Sequence, residues 1–456
     1  MPAYGGGLGN RPESEGERPA GHECVVRRCS TAGTPAGHAL LIGARKRMRR
    51  RHFLSFAFFL AIAQSAASAP LLRPFSFNAV ERFADIESRL ERSNAVHLAG
   101  ADKVRTLIAR HREAIEACTT HPLFANAVNR LIDDIGLSHF HYYADNDWQY
   151  WHLRSAFLDH SDAGHVEHVG IIPERIENRW FIRGILEGSP ADKMRLEVGD
   201  ELLTVDGLPY SPVNALRGTA GETVTLRLRR RPAVSYEVIV APKKESLYAA
   251  LQRAMRKSIR TIRHEEHVFA YLHGWTLLGS GAEYTKLLRM QDDVDGLLLD
   301  YRDGFGGTWH RAEHFLLGQD GRNLAADDAT WTKPLVILTG DGTRSAKEIV
   351  VYHVKEAGRA PLVGEPTPGH VISVGGVVPI GDDGLLMLPG LRFHQEGKPI
   401  VPDFLVRRDI RYCGGADLQL EFAKGLLGSL IRRENQGIVG SWDDAALAMP
   451  NVAQAP

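Results

Sequence analysis

Cysteine is scarce, with four residues in 456. No CxxC pair and no Cys/His spacing of the kind that binds zinc occurs. Cys24 and Cys29 lie in an N-terminal leader, so only Cys118 and Cys413 belong to the body of the chain. Export would permit a disulfide between them, but residues so far apart in sequence do not establish one. Net charge is also lacking. Basic and acidic residues number 55 each, which offers nucleic acid no overall attraction. The balance is uneven, because residues 1–69 hold ten basic and four acidic side chains and the rest carries a net of −6. No apolar run reaches the roughly 20 residues that span a bilayer, and no internal repeat stands out. The hydrophobic share of 44% and charged share of 24% are those of an ordinary globular protein, and the length allows two or three domains. No metal or organic cofactor is implied.

The basic head has a specific reading. Arg45-Lys46-Arg47-Met48-Arg49-Arg50-Arg51 precedes an apolar stretch over 53–63, and Ala67-Ser68-Ala69 follows. Charge, a short apolar run and an A-x-A site predict a secretory signal peptide over 48–69 and a periplasmic or secreted product. Residues 1–47 are rich in Gly, Arg and Pro without periodicity, and translation is expected to begin at Met48. At the other end, residues 434–456 are polar and then rich in Ala and Pro, and are expected to be disordered.

Between these ends three regions differ in pattern. Over 70–160 the apolar residues Ala79, Phe83, Ile86 and Leu90, then Val104, Ile108 and Ile115, recur at helical spacing. A further helix over 124–135 ends at Gly136, and the aromatic residues that follow, Phe140 to Trp151, are expected to form a seam in a helical cap. Over 166–243 short alternating strands appear at 180–185 and 223–228. Gly188-Ser189-Pro190-Ala191-Asp192-Lys193 starts a short helix: Ser189 can cap it, Pro190 fits the first turn, and Asp192 meets the positive end of the dipole. Asp206-Gly207 is a tight hairpin turn. This stretch resembles PDZ domains, which bind extended peptides at a sheet edge; Gly170-Ile171-Ile172-Pro173 is the candidate carboxylate-binding loop. Over 245–433 helix and strand alternate, as in α/β sheets. Strands are expected at 268–272, 294–299, 335–339, 385–388 and 405–406, and a helix over 345–356.

Chemistry concentrates in this last region. DYRDGFGG (300–307) is a buried strand running into a glycine-rich loop. GTRSAKEI (342–349) places Ser345 between a strand and a helix, and GRAPLVGEPTPG (358–369) follows. Helical N–H groups and the dipole at such a position favour the negative charge of an acyl-transfer intermediate. The bland alternative is that Ser345 is an N-cap with Glu348 as its capping-box partner.

Together these segments resemble the tail-specific (C-terminal processing) protease and tricorn core-protease family. The resemblance implies an α/β, crotonase/ClpP-like catalytic core preceded by an N-terminal helical region and an inserted, mostly β PDZ domain. It implies a serine-type endopeptidase with Ser345 as nucleophile, and an oxyanion hole from Ala346 with Gly306 and Gly307. Peptide or protein substrates, held by their C-terminal tails, would be the partners, and a homo-oligomer is left open.

A serine needs a base. The tail-specific branch has a Lys where this chain has His370. Lys347, two residues from Ser345 on the same helix, faces away. The tricorn-like branch implies Ser–His–Glu, and Phe269 to Trp275 resembles the strand that ends in its His. His273 is therefore the first choice of base, Glu396 its acidic partner, and His370 the alternative base. Asp403 reads as a structural turn, and His139, His141, His264 and His267 as structural or exposed. The competing readings are an inactive peptidase fold that binds a hydrophobic ligand or peptide, and a PDZ scaffold for envelope proteins.

Overall fold

The computed structural model describes residues 77–158, 164–318, 330–438, 440–447 and 449. The expected leader and signal peptide lie outside them. Among the described residues no helix is long and apolar enough to cross a membrane.

Four helices open this part of the chain: Ala79–Glu91, Asn94–Ala99, Ala101–Glu116 and His121–Ile135. The apolar stripes read from the sequence are their buried faces, with Phe83, Ile86, Leu90, Val104, Ile108 and Ile115 in one cluster. Gly136 ends the fourth helix at φ 76°, a left-handed conformation that glycine adopts at little cost. The chain does not stay helical after that. His141–Ala144 is a strand, paired antiparallel with Gly384–Arg392, which in turn pairs with Ile372–Ile380. The helical cluster closes over this three-stranded sheet and includes Ile372, Ile380 and Leu386. Of the aromatic residues expected in a helical seam, Tyr142 and Tyr143 are on the strand, and Trp148, Tyr150 and Trp151 are on the helix Trp148–Phe157. The sequence pattern cannot show this pairing, because its partner strands lie more than two hundred residues away.

The next region is an antiparallel sheet in the order Ile171–Ile176, Arg179–Ile185, Glu201–Val205, Val224–Arg231, Val234–Val240. Its core holds Ile182, Leu202, Leu226 and Leu228. Ser189 caps the short helix Pro190–Lys193 by accepting the Asp192 N–H at 3.2 Å. Val205 pairs with Leu208 across Asp206-Gly207, both at positive φ (49° and 82°), as a two-residue primed turn requires. Arg183 joins this sheet to the core: its Nε donates to Asp303 at 2.5 Å.

The core sheet runs Arg260–His264, His267–His273, Gly296–Asp300, Leu335–Thr339, Leu362–Gly364, Phe404–Leu405, parallel after the first antiparallel pair. Both faces are covered, so its strands read as continuous apolar runs. Leu297 and Leu299 pack toward the helices Leu247–Ser258 and Ala346–Glu356, while Leu298 packs toward the helix Leu418–Asn435. The expected disordered tail contains the helix Trp442–Leu447. Its Ala445 and Ala446 are buried beside Leu427, and Ser429 Oγ donates to the Ala445 carbonyl at 2.6 Å. Two small residues let the helices approach closely, which composition alone does not show. Cys118 and Cys413 are both free thiols.

Candidate active site

Ser345 stands at the carboxyl end of the strand Leu335–Thr339, as the residue before the helix Ala346–Glu356. Its backbone is at φ 60°, ψ −130°. A non-glycine residue rarely takes up this geometry, and it persists only where its surroundings over-determine it. They do so here. The Ser345 N–H donates to the His370 carbonyl at 2.9 Å. Thr343 Oγ1 accepts the Gly340 N–H at 3.0 Å and donates to the Tyr301 carbonyl at 3.0 Å. Glu348 takes the N–H groups of Gly369 and His370, each at 2.7 Å. The Ser345 side chain makes no capping hydrogen bond, so the N-cap alternative does not describe its hydroxyl.

The glycine loop lies directly against this turn. A methyl group built on Gly306 would lie 3.0 Å from both Ser345 Oγ and the Ala346 nitrogen. That small space adjoins at once a hydroxyl and a first-turn helical N–H, which has no intrahelical acceptor. The loop is pinned. The Gly306 carbonyl accepts the Leu277 N–H at 2.9 Å, and Phe305 N–H donates to the Trp275 carbonyl at 2.8 Å. The N–H of Gly307, on the same trans peptide as the Gly306 carbonyl, points the opposite way, away from Leu277. Upstream, Asp303 is buried between Arg183 and Arg408, and Asp300 is paired with Arg302.

A cavity of about 670 Å³ opens over Ser345 and is lined by Gly306, Gly307, His139, His370 and Glu396 among others. Five of the residues expected from the sequence are thus brought together: Ser345, Gly306, Gly307, Glu396 and His370. His370 sits at the exposed rim, with burial lowering its pKa and Glu396 opposing that.

His273 is placed elsewhere. It ends its strand as expected, but is buried and absent from the wall of the cavity. Its ring stacks on Trp275 with centroids 3.6 Å apart, and Nε2 has no hydrogen-bond partner. Burial pushes its pKa down to about 4, against the opposing pull of Asp300 and Asp303. Lys347 is fully buried too, and its Nζ donates to the Asp303 carbonyl at 2.5 Å, turned from Ser345 as its spacing predicted. Burial brings it down to about 7. Asp403 is structural, taking Lys355 Nζ and the Leu362 N–H, each at 2.8 Å.

Of the imidazoles that line the cavity with Ser345, His139 is the one hydrogen-bonded toward Glu396. It follows the helix-ending Gly136 and itself has φ 53°. Ser138 Oγ lies 3.3 Å from His139 Nδ1 and donates to Glu396 Oε2 at 3.0 Å. The hydroxyl has one proton and gives it to the carboxylate, so in this contact Nδ1 is the donor. Nε2 of the neutral ring then carries the lone pair. Glu396 Oε2 also accepts the N–H groups of Val371 and Ile372, at 2.7 and 2.9 Å. Burial first, then Arg344 and His370, push the His139 pKa down to about 4, so the ring is neutral at pH 7. Sequence reasoning passed over this pair. The only local signal is a Ser-His dipeptide between a helix-ending glycine and a strand, and 20 histidines share the chain.

Residues 269–403 match the sequence family described as Peptidase family S41. The chain is 24% identical over 318 residues to a putative tricorn protease homolog 2 of Streptomyces coelicolor, covering 62% of this chain and 26% of that protein. It is 25% identical over 301 residues to the carboxy-terminal processing protease CtpB of Bacillus subtilis, covering 58% and 59%. The chain therefore spans about a quarter of the first relative's length and about three-fifths of the second's. Among solved structures, tricorn protease is similar over 78% of this chain and 37% of its own, with TM-score 0.47 and 16% identity. A photosystem II D1 C-terminal processing protease is similar over 77% and 98%, with TM-score 0.45 and 17% identity. From the strand that ends in His273 to the Asp403 turn, this chain carries a peptidase family S41 domain.

Proposed function

We propose that the protein is an exported serine-type endopeptidase that acts through an acyl-enzyme at Ser345, with His139 rather than His273 as its base. The observation that carries this reading is the uncapped Ser345 hydroxyl, sharing one cavity with the Glu396–Ser138–His139 hydrogen-bonded chain. Ser345 Oγ attacks the peptide carbonyl while His139 Nε2 takes its proton. The oxygen that becomes negative occupies the space beside Gly306, where Ala346 N–H, with Gly307 N–H as the second donor, stabilises it. His139 then returns the proton to the leaving amine, and the C–N bond breaks to leave an ester on Ser345. Water, deprotonated by the same imidazole, hydrolyses that ester and frees the carboxylic acid. Ser138 and Glu396 hold the ring in the required tautomer and stabilise its charged form.

In this reading residues 166–243 are a PDZ domain, and an extended substrate tail adds to the unpaired edge of the strand Ile171–Ile176. The relatives' names, carboxy-terminal processing protease, favour substrates engaged near their C-termini. Export rests on the basic-then-apolar segment at 45–69.

The test is labelling of the purified chain with a fluorophosphonate, followed by peptide mass mapping, alongside digestion of casein and of tagged peptides. The adduct is expected on Ser345 and digestion is expected to vanish in Ser345→Ala. A folded protein that takes no label and cuts neither substrate would instead support a non-catalytic binding role.

A further inference from the structure

The cavity over Ser345 holds one group that the peptidase reading does not use. Arg344 projects into it beside the nucleophile, half-buried. Its guanidinium lies 5.1 Å over the Phe305 ring, and its Nη2 donates to the side-chain Oε1 of Gln149 at 3.4 Å. Phe305 is itself stacked with His152, with centroids 3.5 Å apart. The cation is therefore held in place before any substrate arrives. No carboxylate among the described residues forms an ion pair with it. Of the acidic groups on the same wall, Glu396 is taken by Ser138, Val371 and Ile372, Asp133 is exposed at its edge, and Asp147 accepts the Gln149 N–H at 2.7 Å while burial raises its pKa against the pull of that bond and of Arg344. The imidazoles around it are kept neutral, His139 and His152 most strongly, and Arg344 contributes to both. A half-buried guanidinium with an aromatic support, one amide contact and no carboxylate at ion-pair distance among the described residues, Asp147 acting on it only through the longer-range field, has its fork free for an anion, and that planar fork matches a carboxylate.

We infer that Arg344 reads a substrate carboxylate placed within about two residues of the bond that Ser345 attacks. The inference rests on the peptidase reading and specifies its substrate class. The distance follows from reach. A guanidinium ends on the order of 6–7 Å from its own Cα, the length of about two residues of extended peptide. The carboxylate is either an Asp or Glu side chain beside the scissile bond or the terminal α-carboxylate of the tail being trimmed.

The experiment compares kcat/KM for three peptides of otherwise identical sequence. One carries Glu near the cut and an amidated terminus, one carries Gln and a free terminus, and one carries Gln and an amidated terminus. Each is run with wild type, Arg344→Gln, Arg344→Lys and Arg344→Glu. A charge-assisted hydrogen bond predicts a preference of about 10- to 100-fold for one carboxylate peptide over the neutral one. Which of the two is preferred identifies the source. That ratio is expected to collapse in Arg344→Gln, to be partly kept in Arg344→Lys, and to fall below one in Arg344→Glu. Wild type that shows no carboxylate preference overturns the inference. So does an Arg344→Gln that slows all three peptides equally, since that is the pattern of a structural or oxyanion role. Fluorophosphonate labelling of Ser345 is read in parallel. Should no peptide be cut and no label form, affinities of the same peptides for Ser345→Ala are compared with and without Arg344→Gln. A carboxylate preference there, lost with Arg344, upholds the site while the peptidase reading falls, and equal affinities sink both.

Discussion

Gly306→Ala tests the geometry of the site through a single methyl group. The new carbon would lie 2.8 Å from Ser345 Cβ and 3.0 Å from Ser345 Oγ and the Ala346 nitrogen. It would fill the space assigned to the oxygen of the tetrahedral intermediate. Backbone strain does not confuse the test, because Gly306 is not among the positive-φ glycines, whereas Gly307 at φ 138° is. Loss of one oxyanion donor costs about 10²–10³ in kcat. Overpacking adds a stability cost of about 1–3 kcal/mol, part of which relaxation of the Ser345 side chain relieves. The expected result is a fall in kcat/KM of at least about 10², with the protein still folded. The rate of fluorophosphonate labelling should fall with it, since the phosphonyl oxygen uses the same space. Peptide hydrolysis, labelling rate and thermal midpoint are measured on one preparation. A variant within threefold of wild type, or one whose activity falls only with its folded fraction, would refute the oxygen's assigned place.

Further outcomes follow from the same geometry. His139→Ala should lower kcat by about 10²–10⁴ without unfolding the protein, while His273→Phe should mainly lower the denaturation midpoint, because the ring it replaces packs on Trp275; the reverse order in peptide hydrolysis would restore His273 as base. Ser138→Ala removes the link between Glu396 and His139 Nδ1, a hydrogen bond to a charged group, and should cost about 10- to 100-fold in kcat; an unchanged rate would mean that the imidazole orients without it. Because the folded-state pKa of His139 is pushed down to about 4, the base is neutral above that value and is lost as pH falls through it. The acid limb of kcat/KM should therefore lie near pH 4, and a limb between 6 and 7 would show that another group is titrating.

Much of the fold is written locally. The helical stripes, the leucine-rich buried strands and the Asp206-Gly207 turn are each set by residues within a few positions of one another, through periodicity and backbone preference. The serine turn is equally local: a strand, Gly342, Thr343 and a helix start lie within a dozen residues, and the glycine loop that meets them lies on a neighbouring strand of the same parallel sheet. The resemblance carried by these motifs therefore implied that Ser345, Gly306 and Gly307 are neighbours.

The base was a different kind of problem. All 20 histidines have the same chemistry on paper, and what separates them is where the chain carries each ring. His273 looked right because it ends a core strand, yet its ring is buried against Trp275 and off the cavity wall, where Nε2 has no partner. Ser138 meets Glu396 across 258 residues of sequence. They meet because the strand His141–Ala144 pairs with Gly384–Met387 and the N-terminal helices bury Ile372 and Leu386. By itself, then, the sequence determined the serine turn, the glycine loop and the class of fold, since local sterics and burial patterns decide these. Only the tertiary structure decided which imidazoles share a cavity with the serine, because that depends on an antiparallel pairing between distant segments, and no short-range pattern encodes its register.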